Sequence, residues 1–194
     1  MTILAIQSSP NEDGLTATLA RTVLEGAQQE GARTRLVNLN SHDIQPCRAC
    51  GTGWGHHFAG GGELAADQCV LDDDFANLRD EIVRADGLVF SSPVYFWDLS
   101  ESAKVLLDRL RRSHYPIRAT SPLNEKPMVC IAAAGGSGNG AVEAAVILDA
   151  YFTRWMGMRR VATLPVTRQT REMHVAAARQ AGRLLVQACG GQPE

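Results

Sequence analysis

The chain has 194 residues, of which 45% are hydrophobic and 21% charged, and its formal net charge is −2 at pH 7. That composition is typical of a globular protein with one buried core. The small net charge argues against nucleic acid or an anionic membrane as the main partner. No apolar run approaches a membrane span and no basic signal-peptide start precedes the first strand pattern, so we expect a cytoplasmic enzyme or carrier.

The first forty residues predict a β-α-β unit. Thr2–Ile6 is a short apolar strand, and a helix is expected from about Leu15 to Glu30, with Gly31 as its stop. Arg33–Leu39 alternates apolar and polar residues as a strand does. Such a connection is right-handed and joins parallel strands.

Segment 40–71 has little periodicity and is rich in cysteine and glycine. A loop of this length inside a compact domain is usually functional or mobile. Three acids, Asp72, Asp73 and Asp74, then precede a helical pattern, where they would lie favourably at its positive N-terminal end.

Strands and helices alternate through the rest of the chain. Strands are predicted at Leu88–Phe90, Met128–Ala134 and Arg159–Leu164, and helices after the N-cap Ser100, from Ala141 to Trp155 and from Glu172 to Ala188. All-apolar strands in this alternating order predict an α/β fold, a three-layer doubly wound sheet of five parallel strands. We expect the flavodoxin-like order 2-1-3-4-5 in a single domain over residues 1–194.

The predicted loop Ser91–Leu99 carries three adjacent aromatic residues, Tyr95, Phe96 and Trp97. Loops between strands and helices are normally polar and exposed, so this run is unusual. Two interpretations are open. The aromatic residues cover the core or a subunit interface, or they form the wall of a site for a flat ligand.

In a doubly wound sheet the ligand binds outside the carboxyl ends of the strands, at the switch point between the first and third strands. Three predicted loops leave that edge, namely Ser8–Thr16, Ser91–Leu99 and Ala134–Gly140. Segment 40–71 leaves the same edge and could overhang the site.

The loop Ser8–Thr16 combines hydroxyl groups, a glycine and a following helix N-terminus, whose free N–H groups and dipole attract anions. We place Ser9, Leu15 and Thr16 nearest a phosphate. The loop contains no lysine or arginine, so backbone and hydroxyl donors would hold the anion. The alternative is an ordinary turn with a serine cap.

The glycine-rich turn Gly135–Gly140 also has two interpretations. Gly136, Gly138 and Ala141 match the spacing of the dinucleotide fingerprint, but the acid expected about twenty residues later is absent. We prefer the interpretation that these glycines let the backbone approach a flat ring. The alternative is a plain flexible turn.

The stretches SSPNEDGLT, SSPVYFWDLSESAKVLLDR and AAAGGSGNG together resemble the NADPH-dependent FMN reductase family, a group of flavodoxin-like flavoproteins. The resemblance extends from the first strand to at least the fourth helix. Its most specific part is Ser92-Pro93-Val94-Tyr95, with Lys104 and Asp108-Arg109 behind it. The T-G-x-T core of a true flavodoxin phosphate loop is absent.

This resemblance implies noncovalent FMN, with NADPH or NADH as co-substrate. The phosphate would lie on Ser9, Leu15 and Thr16. The isoalloxazine would lie between two sets of residues, Pro93, Val94, Tyr95, Phe96 and Trp97 on one side and Ala134, Gly135, Gly136, Ser137 and Gly138 on the other. The resemblance also implies a homodimer or homotetramer, with the flavin near a subunit interface.

The cysteines resemble in part those of the related iron–sulfur flavoproteins, which have a C-x-x-C-x-x-C stretch and a fourth cysteine. In this chain Gly53 occupies the third position, so Cys47, Cys50 and Cys69 remain. A cubane cluster normally takes four thiolates, and we therefore assign no metal.

The cysteine-rich segment is compatible with three hypotheses. His56 or His57 could complete a zinc site with the three cysteines. Cys47 and Cys50 could form a redox pair. We favour the third hypothesis, a relic loop that only shapes the flavin pocket, through Trp54 and His56.

The implied function is an FMN-dependent NAD(P)H oxidoreductase that reduces a quinone, a flavin or another small electron acceptor. The flavin would carry the chemistry, so we predict no catalytic side chain. The alternative is a flavodoxin-like electron-transfer protein without its own NAD(P)H turnover, although a net charge of −2 lacks the strongly acidic surface usual for such carriers.

The basic residues that follow the third strand are assigned minor roles. Arg109–Arg112 is interpreted as the C-terminal end of a helix, where cations are favourable. Arg111, Arg112 or Arg118 could bind the phosphates of a nicotinamide cofactor. His114 is interpreted as a surface or helix-face residue.

Overall fold

The computed structural model of the chain describes residues 1–49, 69, 71–114 and 119–191. Its strands are β1 (Thr2–Gln7), β2 (Arg33–Asn38), β3 (Gly87–Tyr95), β4 (Asp98–Leu99), β5 (Pro127–Ala134) and β6 (Arg159–Thr167). Five of them form a parallel sheet in the order β2-β1-β3-β5-β6, and the short β4 pairs antiparallel with the end of β3. The predicted flavodoxin-like order is confirmed, with the switch point between β1 and β3.

Helices cover both faces of this sheet. They are α1 (Leu15–Gln29), α2 (Phe75–Arg84), α3 (Glu101–His114), α4 (Ala141–Ala150) and α5 (Arg171–Gly190), and a π-helical turn, Tyr151–Trp155, continues α4. Helices α1 and α5 pack on one face, and α2, α3 and α4 on the other. The three predicted layers are therefore present. Within the described ranges no helix has the length and apolar character needed to cross a membrane.

Helices α1 and α5 approach each other so closely that glycine is required at the contact. A Cβ atom on Gly26 would lie 2.0 Å from the carbonyl oxygen of Arg179, and one on Gly182 would lie 1.9 Å from that of Val23. Any larger residue would force the helices apart, because neither backbone can yield locally.

The third strand is longer than the sequence predicts. The prediction of a loop over Ser91–Leu99 is therefore corrected. Strand β3 continues through Tyr95 and turns directly into β4, and Ser91, Ser92 and Pro93 pair with β5. Serines and a proline carry no strand signal. Pro93 has no N–H to donate to a neighbouring strand. The proline is tolerated because the last residue of β1 pairs with Ser91, so β1 offers no acceptor opposite Pro93.

A buried ion pair joins α3 to the segment before α2. The guanidinium group of Arg109 donates to the two carboxylate oxygens of Asp73 at 2.7 and 3.0 Å, and to the carbonyl oxygen of Gln45 at 2.8 Å. The two side chains are 2% and 1% exposed, and the ring of Phe75 lies 4.2 Å from the guanidinium carbon. The pair therefore holds Gln45 and Asp73, on either side of the long segment, against the same helix.

The carboxylate of Asp73 is held in its charged form. Burial alone would raise its pKa, but the hydrogen bond from Arg109 and the N–H groups of Gln45 and Phe75 outweigh burial and lower the pKa below its usual value. The N–H of Phe75 is the first of α2, at 3.1 Å from Asp73. The predicted association of these acids with the start of the helix is thus confirmed.

His114 is not a surface residue, which corrects the interpretation made from the sequence. Its side chain is 4% exposed at the end of α3, and its Nδ1 lies 2.9 Å from the hydroxyl of Ser121. Burial, with Arg79 and Lys126 nearby, lowers its pKa to about 4. His114 is therefore a neutral core residue at pH 7.

Neutralising Asp73 should destabilise the protein strongly, because it leaves the Arg109 cation buried without a counterion. We expect Asp73→Asn to lower the free energy of unfolding by about 3 kcal/mol. The matched control is Glu25→Gln, which removes one partner of the exposed pair between Glu25 and Arg179. That change should cost less than about 1 kcal/mol. Equal costs for both variants in urea unfolding would contradict the role of the buried pair.

Candidate functional site

The carboxyl ends of β1, β3 and β5 bring three segments to one edge of the sheet. They are the loop after β1, the hairpin turn between β3 and β4, and the glycine-rich loop between β5 and α4. These are the three segments that the sequence predicts at this edge. The middle one is a tight β-turn rather than a loop between a strand and a helix.

The loop after β1 is braced by Gln7, a residue that was not predicted from the sequence. The side-chain oxygen of Gln7 accepts the N–H of Ser9 at 2.8 Å, and its amide nitrogen donates to the carbonyl of Ser9 at 3.0 Å. The hydroxyl oxygen of Ser9 accepts the N–H of Asn11, so its own hydrogen remains available to another acceptor. The sequence does contain one signal for this role, because Gln7 is a polar residue at the end of an apolar strand.

Helix α1 begins without a side-chain cap. Gly14 is its N-cap residue, so the first N–H groups, including those of Leu15 and Thr16, have no intrahelical acceptor. The side chain of Thr16 is 4% exposed, and no described residue accepts or donates a hydrogen bond at its hydroxyl. These donors and the positive end of the helix form a site suited to an anion.

Four buried serines connect this loop to β3 and α3, and we call Ser8, Ser91, Ser92 and Ser100 the serine network. The N–H of Ser8 donates to the carbonyl of Ser91 at 3.0 Å, and the hydroxyl of Ser100 donates to that of Ser8 at 2.8 Å. The hydroxyl of Ser92 accepts the N–H of Ser100, and that of Ser91 donates to the carbonyl of Thr16. The repeated Ser-Ser-Pro at 8–10 and 91–93 was the sequence signal for this network.

The hairpin turn places two aromatic residues in a strained backbone conformation. Tyr95 pairs with Asp98, and the two residues between them, Phe96 and Trp97, have φ values of 50° and 71°. Such turns prefer Asn-Gly, because left-handed φ values are unfavourable for bulky side chains. Phe96 is fully exposed and Trp97 is 56% exposed, so burial does not compensate the strain. Strain of this kind points to a functional role for the two rings.

The glycines of the loop after β5 have two different roles. Gly140 has a φ of 80°, and a Cβ atom there would lie 2.6 Å from the Cα of Trp97, so the aromatic turn packs directly on the start of α4. Gly135 and Gly136 face open space, since a Cβ atom on either would meet nothing within 4 Å. Their backbones are therefore open to close approach by a ligand.

A cleft of about 230 Å³ separates the aromatic turn from the glycine-rich loop. It is lined by Val94, Phe96, Trp97, Ala134, Gly135, Gly136, Ser137, Gly138 and Asn139. The structure thus brings together eight of the ten residues predicted on the two sides of a flat ring. We call this space the aromatic–glycine cleft.

The remaining two predicted residues of the ring site lie just outside this cleft. Pro93 is buried within β3. Tyr95 borders a second cleft, of about 430 Å³, whose lining also includes Ser8, His42 and Glu101. This second cleft was not predicted from the sequence, because its residues come from four separate segments that only the fold brings together.

Arg111 and Arg112 lie at the far end of α3 rather than at the site. They flank a third cleft, of about 840 Å³, together with residues of α4 and its π-helical turn. Arg111 is ten residues beyond Glu101, which corresponds to about 15 Å along the helix. Within one chain these arginines do not line the aromatic–glycine cleft. Arg118 lies outside the described residues.

The cysteine-rich segment is only partly within the described residues. Cys47 and Cys69 are both half-buried. Cys50, Gly53, Trp54, His56 and His57 lie outside the described ranges, so the zinc, redox-pair and pocket-shaping hypotheses stay predictions. In the part of the chain that the structure describes, no group of three or more His, Cys, Asp or Glu side chains is arranged to hold a metal ion.

Known proteins similar to this chain are flavoproteins and reductases. An iron-sulfur flavoprotein of Methanocaldococcus jannaschii is 30% identical over 148 residues, which are 75% of this chain and 68% of that protein. A flavone reductase structure has a TM-score of 0.73 at 18% identity, and the match covers 98% of this chain and 63% of that one. The structure of an NAD(P)H:quinone oxidoreductase from Methanothermobacter marburgensis has a TM-score of 0.67 at 18% identity. That match covers 95% of this chain and 96% of the other.

Every segment of the candidate site falls within the match to one protein family. The family model described as NADPH-dependent FMN reductase matches residues 1–170, which contain β1 to β6 and all three segments at the carboxyl edge. The structural likenesses, at 18% identity, support the same fold. The chain therefore belongs to the NADPH-dependent FMN reductase family.

Proposed function

We propose that this protein is an FMN-dependent NAD(P)H oxidoreductase that passes electrons to a quinone, a flavin or another small acceptor. The observation that carries the proposal is the convergence, at one sheet edge, of the uncapped start of α1 and the aromatic–glycine cleft. Bound FMN would supply the redox chemistry, taking two electrons from a reduced nicotinamide and giving them to the acceptor.

Ser9, Leu15 and Thr16 would hold the FMN phosphate. The N–H groups of Leu15 and Thr16 lack helical acceptors, and the hydroxyl of Ser9 retains a free hydrogen because its oxygen accepts from Asn11. No lysine or arginine lies in the loop, so the helix dipole and these neutral donors would balance the phosphate charge. The residues present therefore fit a phosphate.

The aromatic–glycine cleft would hold the isoalloxazine ring. Gly135 and Gly136 leave the space that a flat ring needs on one side, and Phe96 and Trp97 offer aromatic faces on the other. Pro93 would act by shaping the end of β3, and Tyr95 would border the ring on the side of the second cleft. The lining would be completed by Val94, Ala134, Ser137 and Gly138.

The chain's own residues would position the cofactor and exclude water, rather than transfer protons. The serine network joins the loop after β1 to β3 and α3, which carry the aromatic turn. Both ends of FMN would therefore meet preformed surfaces. We assign no catalytic side chain.

We further propose that residues 1–194 act as one domain and that the protein is a homodimer or homotetramer.

The direct test is anaerobic reduction of the FMN-loaded protein by NADPH or NADH. We expect the flavin absorbance near its visible maximum to bleach and to return on addition of a quinone. Bleaching by dithionite but by neither nicotinamide would favour the alternative, an electron-transfer protein without NAD(P)H turnover. A protein that takes up no FMN would contradict both.

Removing the Thr16 hydroxyl should weaken FMN binding without altering the helix. Thr16→Val keeps the side-chain shape but removes one donor to a charged phosphate, and we expect Kd to rise roughly tenfold to a hundredfold. Thr22→Val is the matched control, because the Thr22 hydroxyl donates to the carbonyl of Thr18 within the same helix. An unchanged Kd for Thr16→Val in a fluorescence titration would refute this placement of the phosphate.

Replacing Phe96-Trp97 by Asn-Gly, the sequence that such turns prefer, should stabilise the fold and weaken FMN binding. The double variant Phe96→Asn, Trp97→Gly relieves two left-handed backbone conformations, so we expect a gain of about 1–2 kcal/mol in unfolding free energy. FMN affinity should nevertheless fall at least about tenfold, because the aromatic wall is lost. Leu184→Asn, on the exposed side of α5, is the control for loss of surface apolar area. If the turn variant binds FMN normally, these rings do not form the wall.

A further inference from the structure

A fourth segment reaches the carboxyl edge of the sheet, beside the glycine-rich loop. Residues 168–170 connect β6 to α5. Thr167, the last residue of β6, pairs with Ala134, which lines the aromatic–glycine cleft. Because neighbouring strands lie about 4.8 Å apart, this connection begins one strand away from the cleft, on its glycine-rich side.

The connection packs against the glycine-rich loop and is held by its own hydrogen bonds. A Cβ atom on Gly138 would lie 3.0 Å from the side chain of Thr167 and 3.6 Å from that of Gln169. The N–H of Thr167 donates to the hydroxyl oxygen of Thr170 at 3.1 Å, and the N–H of Thr170 donates to that of Thr167 at 3.2 Å. These reciprocal bonds fix the short connection beside the cleft.

Two arginines flank this connection, and both side chains are exposed. Arg168 follows directly after β6, and Arg171 is the first residue of α5. Neither guanidinium group forms an ion pair with any residue of the described ranges. Because no described carboxylate holds them, the two cations can bind an anionic ligand without first breaking a salt bridge.

Helix α5 turns Arg171 towards the sheet and turns the neighbouring acid away from it. Val175 and Ala178, four and seven residues after Arg171, lie on the side of α5 that packs on the core. Glu172 shares its side of the helix with Ala176, which is exposed. The carboxylate of Glu172 therefore lies on the outer side of α5, and the side that faces the sheet edge carries the cation.

We propose that Arg168 and Arg171 bind the 2′-phosphate of NADPH and give the candidate site a preference for NADPH over NADH. This inference rests on the proposed function, in which a reduced nicotinamide delivers electrons to the flavin. A phosphate monoester carries about two negative charges at pH 7, and two guanidinium groups match both that charge and its oxygen geometry. Selection of NADH usually needs an acid that accepts the ribose hydroxyl, and Glu172 is turned away from this position.

The position of these arginines also distinguishes them from the pair that the sequence indicated for the same phosphates. Arg111 and Arg112 border the third cleft, at the far end of α3. Arg168 and Arg171 instead adjoin the glycine-rich side of the candidate site, through the pairing of β6 with β5. NADPH that reaches the flavin from the side of β6 would bring its phosphates to these two cations.

Equilibrium binding of NADP⁺ and NAD⁺ to the FMN-loaded protein tests the assignment without turnover. We expect Arg168→Gln with Arg171→Gln to raise Kd for NADP⁺ about tenfold to a hundredfold, because charge-assisted hydrogen bonds to the phosphate are lost. Kd for NAD⁺ should stay near the wild-type value, since NAD⁺ lacks the 2′-phosphate. Equal losses for the two nucleotides, or no loss for NADP⁺, would overturn the proposal.

Arg183→Gln is the matched control, because it removes the same charge from the same helix. Arg183 bonds to Gln29 and Gln180, and it lies about 18 Å along α5 from Arg171. This change should leave both Kd values unaltered. Added salt should weaken NADP⁺ binding by the wild type and by this control more than by the double variant. Equal salt dependence in all three proteins would show that the two arginines do not contact the phosphate.

Anaerobic kinetics separate this inference from the proposed function. The double variant should raise KM for NADPH by a factor similar to that for Kd, while its Kd for FMN stays at the wild-type value. A higher Kd for FMN would place the arginines on the flavin phosphate and overturn the proposal. Failure of the wild-type flavin to bleach with either nicotinamide would refute the proposed function. Normal bleaching with an unchanged KM in the double variant would refute only the 2′-phosphate site.

Discussion

The hydrogen bonds between the ends of β1 and β3 determine whether a site exists at the sheet edge. The two halves of the candidate site are about eighty residues apart in sequence, and the bond from Ser8 to the carbonyl of Ser91 is where they join. The hydroxyl of Ser100 extends this contact to the start of α3. These groups are fully or almost fully buried, so each hydroxyl that loses its partner would carry an uncompensated desolvation cost. The network therefore fixes one geometry for the loop after β1 and the aromatic turn.

The position of α3 depends in turn on the buried ion pair between Arg109 and Asp73. The first residue of α3 follows Ser100, and its third turn carries the arginine that also binds the carbonyl of Gln45. Burying two charges is costly, and the bidentate geometry with additional N–H donors to Asp73 offsets that cost. One interaction thus positions both a helix of the core and the two ends of the long segment next to the site.

The aromatic turn is strained in its local backbone conformation. Phe96 and Trp97 occupy left-handed backbone positions that Asn-Gly would occupy without strain. Gly140 allows the turn to rest on the start of α4, so the strained conformation is held by tertiary contact rather than by its own propensity. This contact joins the turn to α4, so the start of that helix is part of the candidate site.

The sequence by itself determined the order of strands and helices, the parallel sheet and the sheet edge at which the candidate site is predicted. An apolar run such as β5 indicates a strand that helices cover on both faces, and alternation with helices favours parallel strands. Only the tertiary structure decided which residues contact one another. Ser92 and Pro93 have loop propensity and become strand residues by pairing with β5. The bracing by Gln7, the burial of His114 and the separation of Arg111 from the cleft depend on elements remote in sequence. Such contacts are set by packing, because a buried polar group must find its partner wherever the fold places one.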